Sequence, residues 1–220
     1  MAPKPVPAVH SLLRVVNIGL LEFDAAPPAW ISESLRRAPF VVVRRAMGRP
    51  RLIPVGVRGM SRSERAAAWL PESAIDGCKT PQMLAEARMW REPSTRSRSP
   101  AIAILDAVDA ILAARRLTGL WGPTGSVGFE LASGVPTTHV DSDLDLVLDA
   151  ENAMVQTDAA CLHRALSALT VRIDLQLETP QGAVLLAELA DGRGATLLRS
   201  AHGPRMVSDP WGRAAGESRS

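Results

Sequence analysis

Two apolar runs rich in β-branched residues stand out in the first 60 residues. Residues 39–45 read PFVVVRR and residues 51–57 read RLIPVGV, and the segment MGRP between them carries a turn signal. This pattern predicts two strands joined as a hairpin. Residues 12–23 are also apolar but follow no strict period, which leaves a strand and a helix both open there.

Two helices are predicted between that hairpin and residue 90. Ser61 and Glu64 have the spacing of a capping box, which predicts a helix through Leu70. Pro81 suits the first turn of a second helix that runs towards Trp90. Together with the strands, these elements predict a small α/β domain over residues 1–90.

The second half of the chain combines helical and strand periods. Ser99 and Pro100 suit the N-cap and the first position of a helix. Apolar residues then recur at helical spacing, at Ile102, Leu105, Val108 and Leu112. Residues 158–169 are amphipathic and predict another helix.

A strand with period two follows at residues 171–178, which read VRIDLQLE, with Asp174 on its polar face. Further strands are predicted at 120–124 and 143–148, a helix at 182–190, and a hairpin formed by 196–200 and 205–207. The expected class is α/β (α+β), with a larger mixed-sheet domain over residues 101–212 beside the smaller N-terminal one.

The segment between the two predicted domains has no apolar residue other than proline. Residues 91–100 read REPSTRSRSP and are interpreted as a linker, or alternatively as a flap over an active site. Residues 213–220 are expected to be a disordered tail. At 220 residues and 46% hydrophobic composition, the chain can bury a core as one domain or as two small ones.

The compartment expected for this chain is the cytoplasm. No apolar run reaches the length of a membrane span, and the first residues, MAPKPVPAVHS, lack the apolar stretch of a secretory signal. Cys78 and Cys161 are far apart and lack metal-ligand spacing, which argues against a disulfide framework or a zinc site.

Charge divides the chain unevenly. Residues 1–120 carry 18 Lys and Arg against 10 Asp and Glu, whereas residues 121–220 carry 7 against 13. This asymmetry favours an anionic partner on the N-terminal side. Its most concentrated part is an arginine cluster on or beside the predicted hairpin, formed by Arg36, Arg37, Arg44, Arg45, Arg49, Arg51 and Arg58.

Candidate chemistry begins with Asp143 and Asp145, which interrupt the apolar run DLDLVL at positions i and i+2. Successive side chains of a strand alternate between its faces, so both carboxylates project from the face opposite the leucines. Two like charges held side by side are unfavourable unless a cation or a proton compensates them. Hard carboxylate oxygens suit Mg²⁺, which also takes phosphate oxygens.

Upstream, Gly125 and Ser126 begin the segment GSVG, which predicts a turn whose N–H groups approach phosphate oxygens. Taken alone, a Gly-Ser segment is usually a simple turn, and a D-x-D pair is usually solvated or caps the start of a strand. Their order, turn and then strand, favours phosphoryl or nucleotidyl transfer. Asp174 is the candidate third carboxylate, as metal ligand or base, with a solvated aspartate as the alternative and Glu178 as the second choice.

This order resembles the polymerase-beta-like nucleotidyltransferases, whose motif is a Gly-Ser turn followed by D-hydrophobic-D-hydrophobic on a strand. Here 16 residues separate Ser126 from Asp143, a longer spacer than is usual in that superfamily. The string GPTGSVGFELASGVPTTHVDSDLDLVL closely resembles the phosphoribosyl-dephospho-CoA transferases of malonate decarboxylase, also called its holo-acyl-carrier-protein synthases. Looser similarity extends through PFVVVRRA, PVGVRG and PRMVSDPW.

The resemblance implies a donor, 2′-(5″-triphosphoribosyl)-3′-dephospho-CoA, and an acceptor, a serine on the apo acyl-carrier subunit of malonate decarboxylase. It implies catalytic roles for Asp143 and Asp145, release of pyrophosphate, and neither nucleic acid nor membrane as a partner. From the residues, Gly125 and Ser126 are expected to bind the donor phosphates, and Asp143, Asp145 and Asp174 to bind Mg²⁺.

Two alternatives stay open at this point. One is a generic NTP-dependent nucleotidyltransferase that modifies a small molecule or a protein, and the other is a binding module without turnover. Since the carrier and the donor are both anionic, the arginine cluster has three interpretations: it docks the carrier, it holds the donor phosphates, or it is solvated surface.

Overall fold

The computed structural model describes residues 7–61, 63–92 and 99–212, and in these ranges it shows two β-sheets with α-helices around them, an α+β fold. The strands are β1 (Leu12–Val15), β2 (Phe40–Val43), β3 (Leu52–Arg58), β4 (Arg65–Pro71), β5 (Ile75–Lys79), β6 (Trp121–Pro123), β7 (Leu144–Asp149), β8 (Ile173–Thr179), β9 (Gly182–Leu185), β10 (Thr196–Ser200) and β11 (Gly203–Val207). The helices are α1 (Ile31–Arg37), α2 (Pro81–Ala87), α3 (Pro100–Ala103), α4 (Leu105–Ala113), α5 (Gly125–Ser133), α6 (Gln156–Ser167) and α7 (Leu186–Asp191).

The N-terminal sheet has the strand order β4-β3-β2-β1-β5, and its neighbouring strands are antiparallel. The predicted hairpin β2–β3 is confirmed. Alternation along β1 and β2 sends Leu13, Val41 and Val43 into a core beneath α1. Leu12 and Val42, on the opposite face, pack against the second sheet.

The predicted helix over residues 61–70 is wrong. Residues Arg65–Pro71 form β4, which pairs with β3 along seven residues. The Ser61 N–H donates to the Glu64 carboxylate at 2.9 Å, as a capping box predicts, but this contact closes the turn between β3 and β4. Pairing along the whole of β3 outweighs the helical propensity of the alanines in this segment.

The second sheet has the order β11-β10-β9-β8-β7-β6. β7 and β8 run parallel, and such a pair needs a crossover connection, which α6 supplies. α6 buries Ala159, Leu162 and Leu166, as its amphipathic pattern predicts. The predicted strands β6, β7 and β8 and the hairpin β10–β11 are confirmed.

Two predicted helices differ from the structure. Ser99 caps α3 as predicted, since its hydroxyl accepts from the Ile102 N–H at 3.3 Å, but the helix is interrupted at Ile104 and resumes as α4. The first half of the predicted helix at 182–190 is instead β9, because it completes the antiparallel ladder with β8, and α7 begins only at Leu186.

The two sheets share one hydrophobic core. Leu12 and Ala38 from the N-terminal part lie in the same buried cluster as Trp90, Trp121 and Leu146. The predicted domain boundary at residue 90 stays a prediction. The predicted linker or flap falls largely on residues 93–98, which, like the predicted tail 213–220, lie outside the described residues.

Within the described ranges, no helix combines the length and the apolar character that crossing a bilayer requires.

Candidate active site

The parallel pair β7–β8 places two of the predicted acidic residues side by side. Asp145 and Asp174 are register partners, and neighbouring strands lie about 4.8 Å apart. Both side chains are partly buried. Asp143 directly precedes the first residue of β7. Strand pairing therefore brings together carboxylates that are distant in the sequence.

The Asp145 carboxylate lies against the start of α5. The Thr124 N–H donates to the Asp145 carbonyl at 2.9 Å, and a Cβ built on Gly125 would lie 2.0 Å from Asp145 Oδ2. Gly125 also has a φ of +58°, in the left-handed region that favours glycine. The segment GSVG, which was predicted as a turn, begins α5. It is the first turn of a helix whose leading N–H groups lack intrahelical acceptors.

A cavity of about 630 Å³ lies between the two sheets at this point. The second sheet and α5 contribute Gly125, Asp145, Asp174 and Gln176 to its wall, and the N-terminal sheet and the segment before it contribute His10, Arg44, Arg58 and Arg65. The wall therefore carries carboxylates on one side and guanidinium groups on the other. Such a site suits an anionic ligand together with a cation.

Two predicted residues, Ser126 and Asp143, are not part of this wall. The Ser126 carbonyl accepts a hydrogen bond from the Thr137 hydroxyl at 2.9 Å. The predicted phosphate-binding role of Ser126 and the predicted catalytic role of Asp143 stay predictions.

Comparison with known proteins decides the family. The chain matches the phosphoribosyl-dephospho-CoA transferase MdcG N-terminal domain over residues 8–81 and the MdcG C-terminal domain over residues 87–210. The chain belongs to the phosphoribosyl-dephospho-CoA transferase family. Proteins named phosphoribosyl-dephospho-CoA transferase are similar to it in Pseudomonas aeruginosa (41% identity, 93% of this chain and 94% of the relative), Azotobacter vinelandii (40%; 94% and 95%) and Klebsiella pneumoniae strain 342 (38%; 94% and 97%). No solved structure matches it.

The arginines in the wall of this transferase come from the strands of the N-terminal sheet. No sequence pattern pointed to Arg65, and Arg44 and Arg58 belong to the arginine cluster that was predicted to lie outside the catalytic domain. Strand alternation is the sequence pattern that could have identified Arg58. It lies two residues after Gly56 on β3, so both residues are on the face of the strand that borders the cavity. Arg65 is the register partner of Arg58 on β4.

The structure divides the predicted arginine cluster. Arg45 forms an ion pair with Glu178 of β8 at 2.5 Å, so it binds the second sheet. Arg49 pairs with Asp24 at 2.9 Å and lies 4.1 Å from the centre of the Trp69 ring. The exposed members are Arg36, Arg37, Arg49 and Arg51.

Glu178, the second choice for the third carboxylate, is held in a network of its own. His10 Nε2 lies 3.4 Å from its Oε1, and Gln176 donates to the same oxygen at 2.7 Å. Burial by itself raises the pKa of Glu178, but the hydrogen bonds from His10, Arg45 and Gln176 and the charge of Arg45 lower this pKa to about 2. Glu178 thus links the two sheets, and Asp174, unlike Glu178, lies in the cavity wall.

The long spacer between α5 and β7 is anchored by Glu130, a residue that was not among the predicted site residues. Its side chain is buried, and Oε2 accepts from the Thr137 N–H, the Thr138 N–H and the Thr138 hydroxyl, each at 2.8 Å. A buried carboxylate requires such donors. The sequence pattern that could have identified Glu130 is a single charged residue in the otherwise apolar segment GFELA.

No group of three or more His, Cys, Asp or Glu residues is arranged to hold a metal in the part of the chain that the structure describes. Mg²⁺, however, is commonly held by one or two carboxylates together with substrate phosphates. The neighbouring Asp145 and Asp174 fit that requirement.

Asp174 also forms an ion pair with Arg172 at 3.1 Å. Since the Arg172 side chain is 72% exposed, solvent screens this pair.

Proposed function

We propose that this transferase moves the 5″-phosphoribosyl-3′-dephospho-CoA group from 2′-(5″-triphosphoribosyl)-3′-dephospho-CoA to a serine of the acyl-carrier subunit of malonate decarboxylase, with release of pyrophosphate. The observation that carries the proposal is the cavity in which Asp145 and Asp174 lie beside Gly125 and opposite three arginines. The family membership supports the dephospho-CoA donor.

We further propose that the second sheet is a polymerase-beta-like nucleotidyltransferase domain. In support, β6 leads into α5, Asp143 directly precedes β7, and Asp145 on β7 lies beside the start of that helix. The parallel strand β8 then supplies Asp174 as the third carboxylate. The proposed reaction accordingly belongs to the nucleotidyltransferase class.

Each residue has a definite task in this proposal. The serine oxygen of the carrier bonds to the α-phosphorus of the donor, and the bond from that phosphorus to pyrophosphate breaks with its electron pair on the leaving group. Asp174, which lines the cavity, would accept the serine proton. The leading N–H groups of α5 face the donor phosphates, where a helix N-terminus favours negative charge.

Mg²⁺ is the proposed cofactor, and Asp143, Asp145 and Asp174 are the residues that would hold it. When bound, it would neutralise charge on the phosphate oxygens and on the leaving pyrophosphate. The close approach of Asp145 to Gly125 keeps one carboxylate beside the region of the donor phosphates. We place the reaction in the cytoplasm, which suits a chain whose two cysteines lack the spacing of a disulfide framework.

Mass spectrometry of the apo carrier subunit, incubated with enzyme, Mg²⁺ and the triphosphoribosyl donor, tests the proposal. We expect the carrier to gain one phosphoribosyl-dephospho-CoA group on a serine, with one pyrophosphate released per carrier. An unmodified carrier, or equal pyrophosphate release from ATP without carrier, would point instead to a generic nucleotidyltransferase.

Substitution of the D-x-D residues tests the site. Asp145→Asn and Asp143→Asn should each lower the transfer rate by about three decades or more, which corresponds to roughly 4 kcal/mol of lost transition-state stabilisation. Asp149→Asn, at the far end of the same strand, is the matched control and should keep near-normal turnover. If Asp145→Asn is as active as the control at saturating Mg²⁺, the site is assigned wrongly.

A further inference from the structure

Arg58 and Arg65 lie directly opposite each other at one end of the β3–β4 ladder. Both contribute to the wall of the cavity, as does Arg44, which directly follows β2. Like charges in direct cross-strand register repel each other. All three residues nevertheless line the cavity that also contains Gly125 and Asp145. The Arg44 Nε–H donates to the Val55 carbonyl at 3.2 Å, and the Arg44 guanidinium carbon lies 5.7 Å from the centre of the Trp69 ring.

Arg58 is the best-anchored member of this group. Only 9% of the residue is exposed, and its guanidinium carbon lies 6.0 Å from the centre of the Phe129 ring on α5. Its carbonyl accepts a hydrogen bond from the Ser34 hydroxyl of α1 at 2.5 Å. Arg58 therefore reaches from the N-terminal sheet to the helix that begins at Gly125.

For Arg58 itself, burial decides between docking of the carrier and binding of the donor phosphates. The surface of a folded carrier protein does not reach a side chain that is nine-tenths buried inside a cavity. A small polyanion does reach it, and each guanidinium group offers five N–H donors, so contacts within the protein leave capacity for further oxygens. Planar guanidinium groups also match phosphate oxygens in a bidentate geometry.

We infer that Arg44, Arg58 and Arg65 form the binding site for the terminal diphosphate of the donor, the part that leaves as pyrophosphate. This inference rests on the proposed function and deepens it, because it gives the N-terminal sheet a role in the reaction. The D-x-D residues bind on one side of the phosphate chain, and the three arginines bind the two phosphates on the other side.

Titration calorimetry with inorganic pyrophosphate and Mg²⁺ tests the inference without the transfer reaction. Arg65→Gln and Arg58→Gln should each weaken pyrophosphate binding about tenfold or more, since a charge-assisted hydrogen bond to phosphate is lost. Arg36→Gln is the matched control, because Arg36 is an exposed arginine of the same sheet-and-helix layer outside the cavity wall. It should bind pyrophosphate as the unmodified protein does.

Thermal unfolding identifies variants that fail to fold, and if Arg58→Gln is one of them, Arg58→Lys replaces it. Arg65 is exposed, so Arg65→Gln is expected to fold and tests the inference whether or not Arg58→Gln folds. Steady-state kinetics of Arg65→Gln should show a raised donor KM and an unchanged carrier KM. A raised carrier KM with unaltered pyrophosphate affinity would instead identify a carrier-docking surface and overturn the inference.

The two proposals fail in different ways. If the unmodified protein modifies the carrier but the arginine variants bind pyrophosphate normally, the diphosphate site is wrong and the proposed function stands. If pyrophosphate binding depends on Arg58 and Arg65 but the carrier is never modified, the diphosphate site stands and the proposed function is wrong.

Discussion

At the residue scale, the closest fit in the site is between Gly125 and the Asp145 carboxylate. The absence of a side chain at Gly125 lets Oδ2 lie where a Cβ would otherwise be, only 2.0 Å from the ideal Cβ position. The positive φ of Gly125 adds a second reason for glycine. Any other residue here moves either the first turn of α5 or the carboxylate.

We therefore expect Gly125→Ala to lower the transfer rate about 100-fold, since a displacement of roughly 1 Å at a reacting centre has an effect of that size. An alanine held in the left-handed backbone conformation of residue 125 should also lower the free energy of unfolding by on the order of 1 kcal/mol. Transfer kinetics and urea unfolding measure the two effects separately.

Gly134→Ala is the matched control for Gly125→Ala. Gly134 caps the other end of α5 with a φ of +73°, and nothing lies within 4 Å of its ideal Cβ position. This variant should lose similar stability and keep its activity. Equal losses of activity in both variants would mean that backbone strain, rather than contact with Asp145, explains the effect.

At the scale of elements, the spacer between α5 and β7 is ordered by one buried carboxylate. Glu130 binds two backbone N–H groups and one hydroxyl of Thr137 and Thr138, and Thr137 in turn binds the carbonyl of Ser126. The spacer is thus fastened to the helix on which the predicted phosphate-binding residues lie. These contacts hold the spacer in place between the two motifs.

Glu130→Ala should therefore lower the free energy of unfolding by about 2–3 kcal/mol, because it leaves buried N–H groups without an acceptor. Urea unfolding at neutral pH measures this loss. Glu151→Ala, an exposed glutamate shortly after β7, should change stability by less than about 0.5 kcal/mol. If the two variants are equally stable, the carboxylate does not hold the spacer.

At the scale of the whole molecule, the two sheets meet through a shared core and through the network around Glu178. Arg45 and His10 come from the N-terminal part, whereas Gln176 and Glu178 lie on β8. The network borders the cavity through His10 and Gln176. It therefore sets the position of the arginines relative to the carboxylates.

The lowered pKa of Glu178 gives this link a pH dependence. Its pKa falls from 4.5 to about 2 on folding, so its contribution to stability is fully present above pH 4.5 and is lost as the pH falls towards 2. Glu178→Gln should cost on the order of 2–3 kcal/mol at pH 7, and the difference from the unmodified protein should shrink between about pH 4.5 and 2.

Urea unfolding over that pH range measures the difference. Asp174→Asn removes the partly exposed carboxylate on the same face of β8 and is the control for the loss of a charge from this strand; at pH 7 it should cost less stability than Glu178→Gln. A Glu178→Gln effect that is constant with pH would show that packing, rather than ionisation, explains the loss.

The sequence by itself determined the local features of this protein. The β-branched runs, the period of residues 171–178 and the amphipathic stripe of α6 are each contained in one short window, and each is found in the structure. The D-x-D residues and Gly125 are also local signals, and Asp174 was chosen from the alternation of its strand. These patterns reflect the faces that a strand or helix must bury.

Only the tertiary structure decided what those features contact. Residues 65–71 are a strand because β3 offers seven pairing partners, and residues 182–185 are a strand because β8 offers four. In both segments this pairing outweighs local propensity. Arg58, Arg65 and Asp145 line one cavity, and Glu178 forms an ion pair with Arg45. Both contacts arise because segments that are far apart in the sequence pack together. Contacts of this kind depend on which buried faces fit together, and no single window of the sequence contains both sides of such a contact.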